Sequence, residues 1–177
     1  MSLGIKRDVV ELVDYDENWK VEAEKIIKKL KNILGKDAVD IQHVGSTSIV
    51  GMKAKPIIDI AVGMNNIDDV LKYVNDLENN GIHYKENSGG RDWQRFFICG
   101  DLENNITTHH IHVVKYGSKR WNDYIKFRDL LNSNPKYKKM YMKEKEKLEI
   151  EYKNDRKGYV KAKGEVVEKI LSEEDIK

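Results

Sequence analysis

Apolar residues recur at intervals of three and four between positions 19 and 34, the spacing that places them on one face of an α-helix. The residues of this stripe are Trp19, Ala23, Ile26, Ile27, Leu30, Ile33 and Leu34. Asp16 stands where an N-cap is expected, and Gly35 follows the last apolar residue, where a glycine typically ends a helix. The pattern therefore predicts a helix over residues 16–34 that buries one face in a core.

The middle of the chain alternates between short apolar runs and polar turns, which is typical of strands. Strands are predicted at residues 39–44, 57–62, 82–85, 95–99 and 107–115. A helix is predicted at 66–80, a loop at 87–92 and a hairpin turn at 100–105. The run at 57–62 is almost continuously apolar, as expected for a central strand that is buried on both faces.

The last third of the chain shows three helical stripes, and the Asn134-Pro135 pair separates the first two. Strands with helices before, between and after them indicate an α/β or α+β fold with a mixed sheet. We expect one domain over residues 1–177, with the sheet core at about 1–116 and a C-terminal helical extension at about 117–177.

Composition and charge limit the classes of protein to be considered. The chain of 177 residues is 40% hydrophobic and 35% charged, with a net charge of +2, so nucleic acid is not an expected partner. Residues 115–177 carry 18 Lys and Arg against 12 Asp and Glu, which fits either a surface that faces a phosphate ligand or a solvated helical surface. The single cysteine, Cys99, fits a small buried residue and a reducing compartment. We see no membrane span and no signal peptide, and we expect a cytoplasmic protein.

A turn of small residues, Gly45-Ser46, lies at the end of the first predicted main strand, and a carboxylate, Asp59, lies inside the next. Such a turn lets backbone N–H groups approach a phosphate, and a carboxylate nearby can hold the divalent cation that phosphates bring. A Walker A loop is excluded, because Met52 follows Gly51 where that loop needs a lysine. A charged side chain in a buried strand requires a partner, so Asp59 is either a metal ligand or is satisfied by backbone donors.

These motifs resemble those of the GrpB family, a branch of the nucleotidyltransferase-fold superfamily. The matching segments are His-Val-Gly-Ser-Thr-Ser at 43–48, Lys-Pro-Ile-Ile-Asp-Ile at 55–60, His-Ile-His-Val at 110–113, Phe-Arg-Asp at 127–129 and Asp-Arg, Tyr and Lys at 155–156, 159 and 163. The resemblance implies a nucleotidyltransferase-like fold, a nucleoside triphosphate, Mg²⁺ and an acceptor hydroxyl or phosphate. It also implies a phosphate cradle at Gly45, Ser46 and Thr47.

Active members of the superfamily usually carry two alternating carboxylates on the second strand, whereas position 61 here is alanine. His110 and His112 share one face of the last strand, and either can act as a metal ligand or as a general base. They could also bind a phosphate oxygen or lie on a solvated face. We therefore take Asp59, His110 and His112 as candidate catalytic residues and Asp59 and His112 as candidate metal ligands.

Four cationic residues complete the predicted site, because guanidinium and ammonium groups suit phosphate oxygens. They are Lys55, Arg95, Arg128 and Lys163. A salt bridge between Arg128 and Asp129 is an alternative for Arg128, and surface charge is an alternative for Lys163.

Two functions follow from the sequence. The first is metal-dependent nucleotidyl transfer to an unknown acceptor. The second, favoured by Ala61, is a non-catalytic module that binds a nucleotide or a phosphorylated small molecule. RNA binding by the basic helical third is a weaker third hypothesis.

Overall fold

The computed structural model describes residues 3–6, 9–86 and 91–175, and shows a mixed sheet with helices on both faces. Within these ranges the strands are β1 (Ile5–Lys6), β2 (Ala38–Val44), β3 (Ile58–Met64), β4 (His83–Tyr84), β5 (Gln94–Asp101) and β6 (Ile106–Lys115). The helices are α1 (Asn18–Leu34), α2 (Val74–Asn79), α3 (Lys119–Ser133), α4 (Pro135–Glu151) and α5 (Arg156–Asp175). The predicted mixed α/β class and C-terminal helical extension are confirmed.

The strand order is β2-β3-β6-β5-β4, and β1 pairs with β6 outside this path. The β3–β6 pair is parallel and the other pairs are antiparallel. As its apolar sequence predicts, β3 lies between two other strands, and its side chains at positions 58, 60 and 62 are fully buried. The two faces of the sheet are therefore set largely by the alternation along β3 and β6.

The first face carries the main core. Helix α1 covers it with the stripe that the sequence predicts, and its buried residues include Trp19, Ala23, Leu30 and Leu34. These residues pack with Ile58, Ile60, Val62, Ile111 and Val113 from the two central strands. Asp16 accepts a hydrogen bond of 2.9 Å from the backbone N–H of Asn18, the first residue of the helix, while the N-cap position itself is occupied by Glu17 rather than by the predicted Asp16.

The helical extension covers the second face. Trp121 of α3 packs with Val44, Ala61 and Val114 of the sheet. Helices α3, α4 and α5 pack together around Phe127, Leu131, Tyr137, Tyr141, Ile170 and Leu171. Ile49 and Met52, from the segment between β2 and β3, are fully buried in this cluster and tie that segment to the helices.

Two local features differ from the sequence expectation. Residues 67–73 form a 3₁₀-helix before α2, because the apolar spacing of three at Ile67 and Val70 fits three residues per turn as well as an α-helix. Strand β1 has two residues, too few to give an alternating pattern. Of the predicted loop at 87–92, residues 87–90 lie outside the described ranges. Among the described helices, none is both long enough and apolar enough to cross a membrane.

His109 on β6 generates a prediction about acid stability. It lies on the face covered by α1 and is 9% exposed, and burial lowers the pKa of this imidazole to about 4. In the unfolded chain its pKa is about 6.5, so between pH 6.5 and 4 the unfolded state binds more protons and the folded state loses stability as the pH falls.

We expect the free energy of unfolding to fall by about 2 kcal/mol more between pH 6.5 and 4.5 in the wild type than in His109→Gln, because the glutamine does not titrate. Urea unfolding at several pH values measures both slopes. Parallel curves for the two proteins would contradict this assignment, whatever the absolute stability of the variant.

Candidate functional site

The turn after β2 brings the backbone very close to Asp59. Val44 pairs with Asp59 across the β2–β3 ladder, and Gly45 follows with a φ of +73°. A Cβ atom placed on Gly45 would lie 2.6 Å from Oδ2 of Asp59 and 2.9 Å from its Cβ. Glycine is therefore required at position 45 both for its conformation and for space.

The small residues after Gly45 form a 3₁₀-turn at Ser46–Ser48. Ser46 is 8% exposed, and its Oγ lies 3.4 Å from the hydroxyl of Tyr141 on α4. Thr47 is buried, with its Oγ1 3.0 Å from Nε2 of His43. Both residues border the cavity described below, and the hydroxyl of Thr47 also holds the turn to β2.

Asp59, His110 and His112 form a compact cluster on the second face of the sheet. The parallel register pairs Asp59 with His110 and Ala61 with His112, so all three polar side chains emerge on one face. Oδ1 of Asp59 lies 3.3 Å from Nδ1 of His110 and 3.4 Å from Nε2 of His112. One donor atom from each residue lies within 4.8 Å of the others, so the cluster can hold a metal ion.

The charges in the cluster suit such a role. Burial by itself raises the pKa of Asp59, but the hydrogen bonds to His110 and His112 outweigh it and hold this pKa well below its usual range. Burial lowers the pKa of His110. At neutral pH the carboxylate is therefore charged and the His110 imidazole is neutral, and these are the protonation states in which both side chains bind metals.

A cavity of about 2200 Å³ opens beside this cluster, between the sheet and the helical extension. The lysines that line it together with Asp59 include Lys55 before β3, Lys145 on α4 and Lys163 on α5. Among the described residues, none of these lysines forms an ion pair with a carboxylate within 4.0 Å. A cavity with concentrated positive charge attracts anionic ligands.

The surroundings of the lysines increase their sensitivity to an anion. The Nζ of Lys55 lies 5.4 Å from the ring centroid of Tyr159, and burial together with the charges of Lys163 and Arg156 lowers its pKa to about 8. Lys145 is 2% exposed, donates a short hydrogen bond to the carbonyl of Lys53, and has a pKa well below the usual range because of burial. An anion in the cavity would stabilise the charged form of both groups.

Two predicted phosphate ligands lie away from this cavity. Arg95 is on the other face of β5, where it forms an ion pair with Asp68 and donates to the carbonyls of Asp92 and Gln94. Arg128 donates to Oε1 of Gln42 at 2.8 Å and to the carbonyl of His43 at 3.1 Å, and its Nε contacts Asp129 at 2.7 Å. The structure therefore brings together Gly45, Ser46, Thr47, Lys55, Asp59, His110, His112 and Lys163, and leaves these two arginines outside.

Two residues at the site were missed by the sequence analysis. Lys145 falls on the buried stripe of α4, with Tyr141 four residues before it and Leu148 three after, and a lysine on an apolar stripe was the available signal. Gln94 is buried and its Oε1 lies 3.2 Å from Nδ1 of His112. It stands one residue before the predicted start of its strand, so the alternation with Phe96 was not recognised.

The fold and the site define a class of mixed α/β protein with a glycine turn, a strand carboxylate and a basic cavity under C-terminal helices. Comparison with known proteins then identifies the family. The family model described as "GrpB protein" matches residues 9–173, and the chain belongs to the GrpB family.

Individual relatives agree with this assignment. The Glutamate-rich protein GrpB of Alkalihalophilus pseudofirmus is 41% identical over 172 residues, covering 97% of this chain and 99% of that protein. The crystal structure of the conserved protein GrpB from Enterococcus faecalis is similar at a TM-score of 0.75 and 26% identity, covering 91% and 99% of the two chains. A structure of the Cid1 poly(U) polymerase bound to MgATP is more distantly similar, at a TM-score of 0.45 and 14% identity over 75% of this chain and 45% of that one.

The close approach of Gly45 to Asp59 predicts an unusually large effect of a single methyl group. We expect Gly45→Ala to lower the free energy of unfolding by about 2–5 kcal/mol, combining about 1–2 kcal/mol for the positive φ with about 1–3 kcal/mol for the collision with Asp59. Gly117→Ala is the matched control, because Gly117 has a φ of +71° and nothing within 4 Å of the added atom. Denaturant unfolding measures both values, and equal losses would contradict the predicted collision.

Proposed function

We propose that this protein binds the phosphate chain of a nucleoside triphosphate together with a divalent metal ion and transfers a nucleotidyl group to an acceptor. The observation that supports this function is the cluster of Asp59, His110 and His112, which adjoins the Gly45 turn and opens onto the lysine-lined cavity. The site thus combines side chains that can bind a metal ion with lysines that lack a carboxylate partner among the described residues. This combination suits a nucleoside triphosphate, which is a polyanion that binds a metal ion.

In this proposal the phosphates lie between the turn and the helical extension. The backbone N–H groups after Gly45 would approach the phosphate chain of the nucleotide from the side of the sheet. Lys55, Lys145 and Lys163 would contact the phosphates from the cavity walls. A triphosphate carries about four negative charges, and these three lysines, of which Lys145 is buried, balance most of them once the anion stabilises their charged forms.

Asp59 and the two histidines would hold the metal, and the resemblance to nucleotidyltransferases suggests that Mg²⁺ accompanies the nucleotide. When bound, the ion supplies charge neutralisation and Lewis acidity at the phosphate oxygens. The carboxylate and the two imidazoles fit a divalent cation in number, charge and spacing.

The acceptor oxygen forms a bond to the α-phosphorus, the bond between this phosphorus and the bridging oxygen of the β-phosphate breaks, and pyrophosphate leaves. The acceptor proton is released to the solvent of the cavity, because a His110 that binds the ion through Nδ1 carries its hydrogen on Nε2 and has no second lone pair. The lysines stabilise the leaving pyrophosphate.

One observation favours a second function, a binding module without turnover. Ala61 is fully buried and packs with Val44, Val114 and Trp121. The position at which active superfamily members carry a second carboxylate is thus part of an apolar cluster. For either function we expect a small phosphorylated ligand, rather than nucleic acid, and a cytoplasmic location.

The central prediction concerns Asp59. We expect Asp59→Asn to abolish Mg²⁺-dependent thermal stabilisation by a nucleoside triphosphate, because the amide removes the negative charge that attracts the Mg²⁺ of the nucleotide to this site. In the wild type, a ligand at about 100 times its dissociation constant stabilises by about 2.7 kcal/mol. The assay is a thermal-shift panel of triphosphates, diphosphates and coenzyme A precursors, each with and without Mg²⁺.

Asp68→Asn serves as the control, because it makes the same chemical change at an exposed residue that pairs with Arg95 outside the cavity. It should keep the full shift. If Asp59→Asn keeps an unchanged affinity while folding normally, the assignment of Asp59 as the metal ligand is wrong.

Turnover separates the two functions. If the protein is a transferase, we expect pyrophosphate release from the triphosphate found in the panel when candidate acceptors are offered, and a loss of about 100-fold or more in His110→Ala, since losing even an outer-shell partner of a metal ligand typically costs about 10–100-fold. Binding without pyrophosphate release for any acceptor would instead support the module. A coupled pyrophosphate assay measures the rate, with Asp59→Asn as the inactive reference.

A further inference from the structure

His112 lies between two oxygen atoms. Its Nε2 is 3.4 Å from Oδ1 of Asp59, and its Nδ1 is 3.2 Å from Oε1 of Gln94. A neutral imidazole carries one N–H, so His112 donates to only one of these two oxygens at a time. When it donates from Nδ1 to Gln94, the lone pair of Nε2 replaces the hydrogen bond to Asp59, and a cation between the lone pair and the carboxylate stabilises this tautomer.

We propose that Asp59, His110 and His112 bind a transition-metal ion of the Zn²⁺ or Co²⁺ type in preference to Mg²⁺, and that Gln94 is the positioning residue that orients His112 for this ion. This inference adds the identity of the metal to the proposed function. It rests on the proposed function only for the chemical role of the ion. It names a resident metal of the protein, distinct from any Mg²⁺ that enters with a nucleotide.

The donor atoms of the cluster favour a transition metal over Mg²⁺. Mg²⁺ prefers six oxygen ligands in a near-ideal octahedron, whereas imidazole nitrogen suits Zn²⁺, Co²⁺, Ni²⁺ and Fe²⁺. The cluster offers two imidazoles and one carboxylate, and the buried Ala61 beside it supplies no second carboxylate. Two nitrogens and one oxygen are a poor set for Mg²⁺ and a familiar set for the later divalent metals.

The spacing of the donors agrees with this choice. The edges of a tetrahedron with metal–ligand bonds of about 2.0–2.1 Å are about 3.3–3.4 Å long. The two separations from Oδ1 of Asp59 are 3.3 Å to His110 and 3.4 Å to His112. Three protein ligands leave a further position toward the cavity, the arrangement of a metal centre that also binds a water or a substrate.

The surroundings hold the histidines in place. Gln94 is 1% exposed, so its contact with His112 is shielded from water. The ring of Phe96 lies 5.4 Å from that of His110 and 5.1 Å from that of His112, and the ring of Tyr124 lies 5.5 Å from that of His112. Acceptors that fix the tautomer of a ligating histidine typically change metal affinity by 10–100-fold when they are removed.

The experiment uses the full chain without any nucleotide. Metal-free protein is titrated with Co²⁺ and followed by its visible d–d absorption, and then Zn²⁺ or Mg²⁺ is added in competition. We expect a Co²⁺ spectrum at one equivalent, displacement by stoichiometric Zn²⁺, and retention of Co²⁺ in a 1000-fold excess of Mg²⁺. His83→Ala, which removes a histidine paired with Glu78 elsewhere on the sheet, should bind Co²⁺ like the wild type.

Two substitutions at Gln94 test the positioning role. Gln94→Leu should weaken Co²⁺ binding by 10–100-fold and change the d–d spectrum. Gln94→Glu, which keeps an acceptor for the N–H on Nδ1 of His112, should restore binding to the wild-type level or better. This rescue separates a role in orienting His112 from a general effect on packing.

Displacement of Co²⁺ by Mg²⁺ at comparable concentrations, or unchanged Co²⁺ binding in His112→Ala, would overturn the inference. Equal affinities in Gln94→Leu and the wild type would overturn the role of Gln94. A protein that binds no Co²⁺ but still shows the Mg²⁺-dependent triphosphate shift would refute the resident metal and leave the proposed function standing. Tight Co²⁺ binding without any nucleotide shift would support the resident metal and refute the proposed function.

Discussion

The parallel register between β3 and β6 places Asp59 beside His110 and Ala61 beside His112. His110 and His112 face the helical extension. His109, which precedes them in β6, and Ile111, which lies between them, face α1. Because side chains alternate along a strand, a slip of one residue would exchange these two sets and turn the metal donors into the apolar core. The fully buried residues of β3 and β6 on the α1 face therefore fix the register that assembles the site.

The same arrangement places a carboxylate and a lysine in the interior without an oppositely charged side chain, within the described parts of the chain, to pair with either. Asp59 stands in a central strand, and Lys145 is buried with a backbone carbonyl and the Tyr141 ring as its contacts. A charged side chain without a counter-ion in a buried place lowers stability, so such residues commonly belong to a ligand site. A metal ion beside Asp59 and an anion beside Lys145 would supply the missing charges of both signs.

The sequence predicted the features that depend on local patterns. Continuous apolar character identified β3 as a central strand, alternation placed His110 and His112 on one face, and the motif around Gly45 and Asp59 indicated the family. Features that depend on contacts between distant elements were not predicted. Arg95 has a side chain suited to phosphate, but it directly follows Gln94 in β5, so its side chain lies on the opposite face of the strand. The burial of Lys145 depends on how three helices pack against the segment before β3.

The most direct test is a crystal structure of the protein with Co²⁺ and a non-hydrolysable triphosphate, with data collected at the cobalt absorption edge. We expect one anomalous peak in contact with Asp59, His110 and His112, and phosphate density running from the Gly45 turn toward Lys145. An anomalous peak elsewhere, or a triphosphate bound outside this cavity, would contradict this expectation.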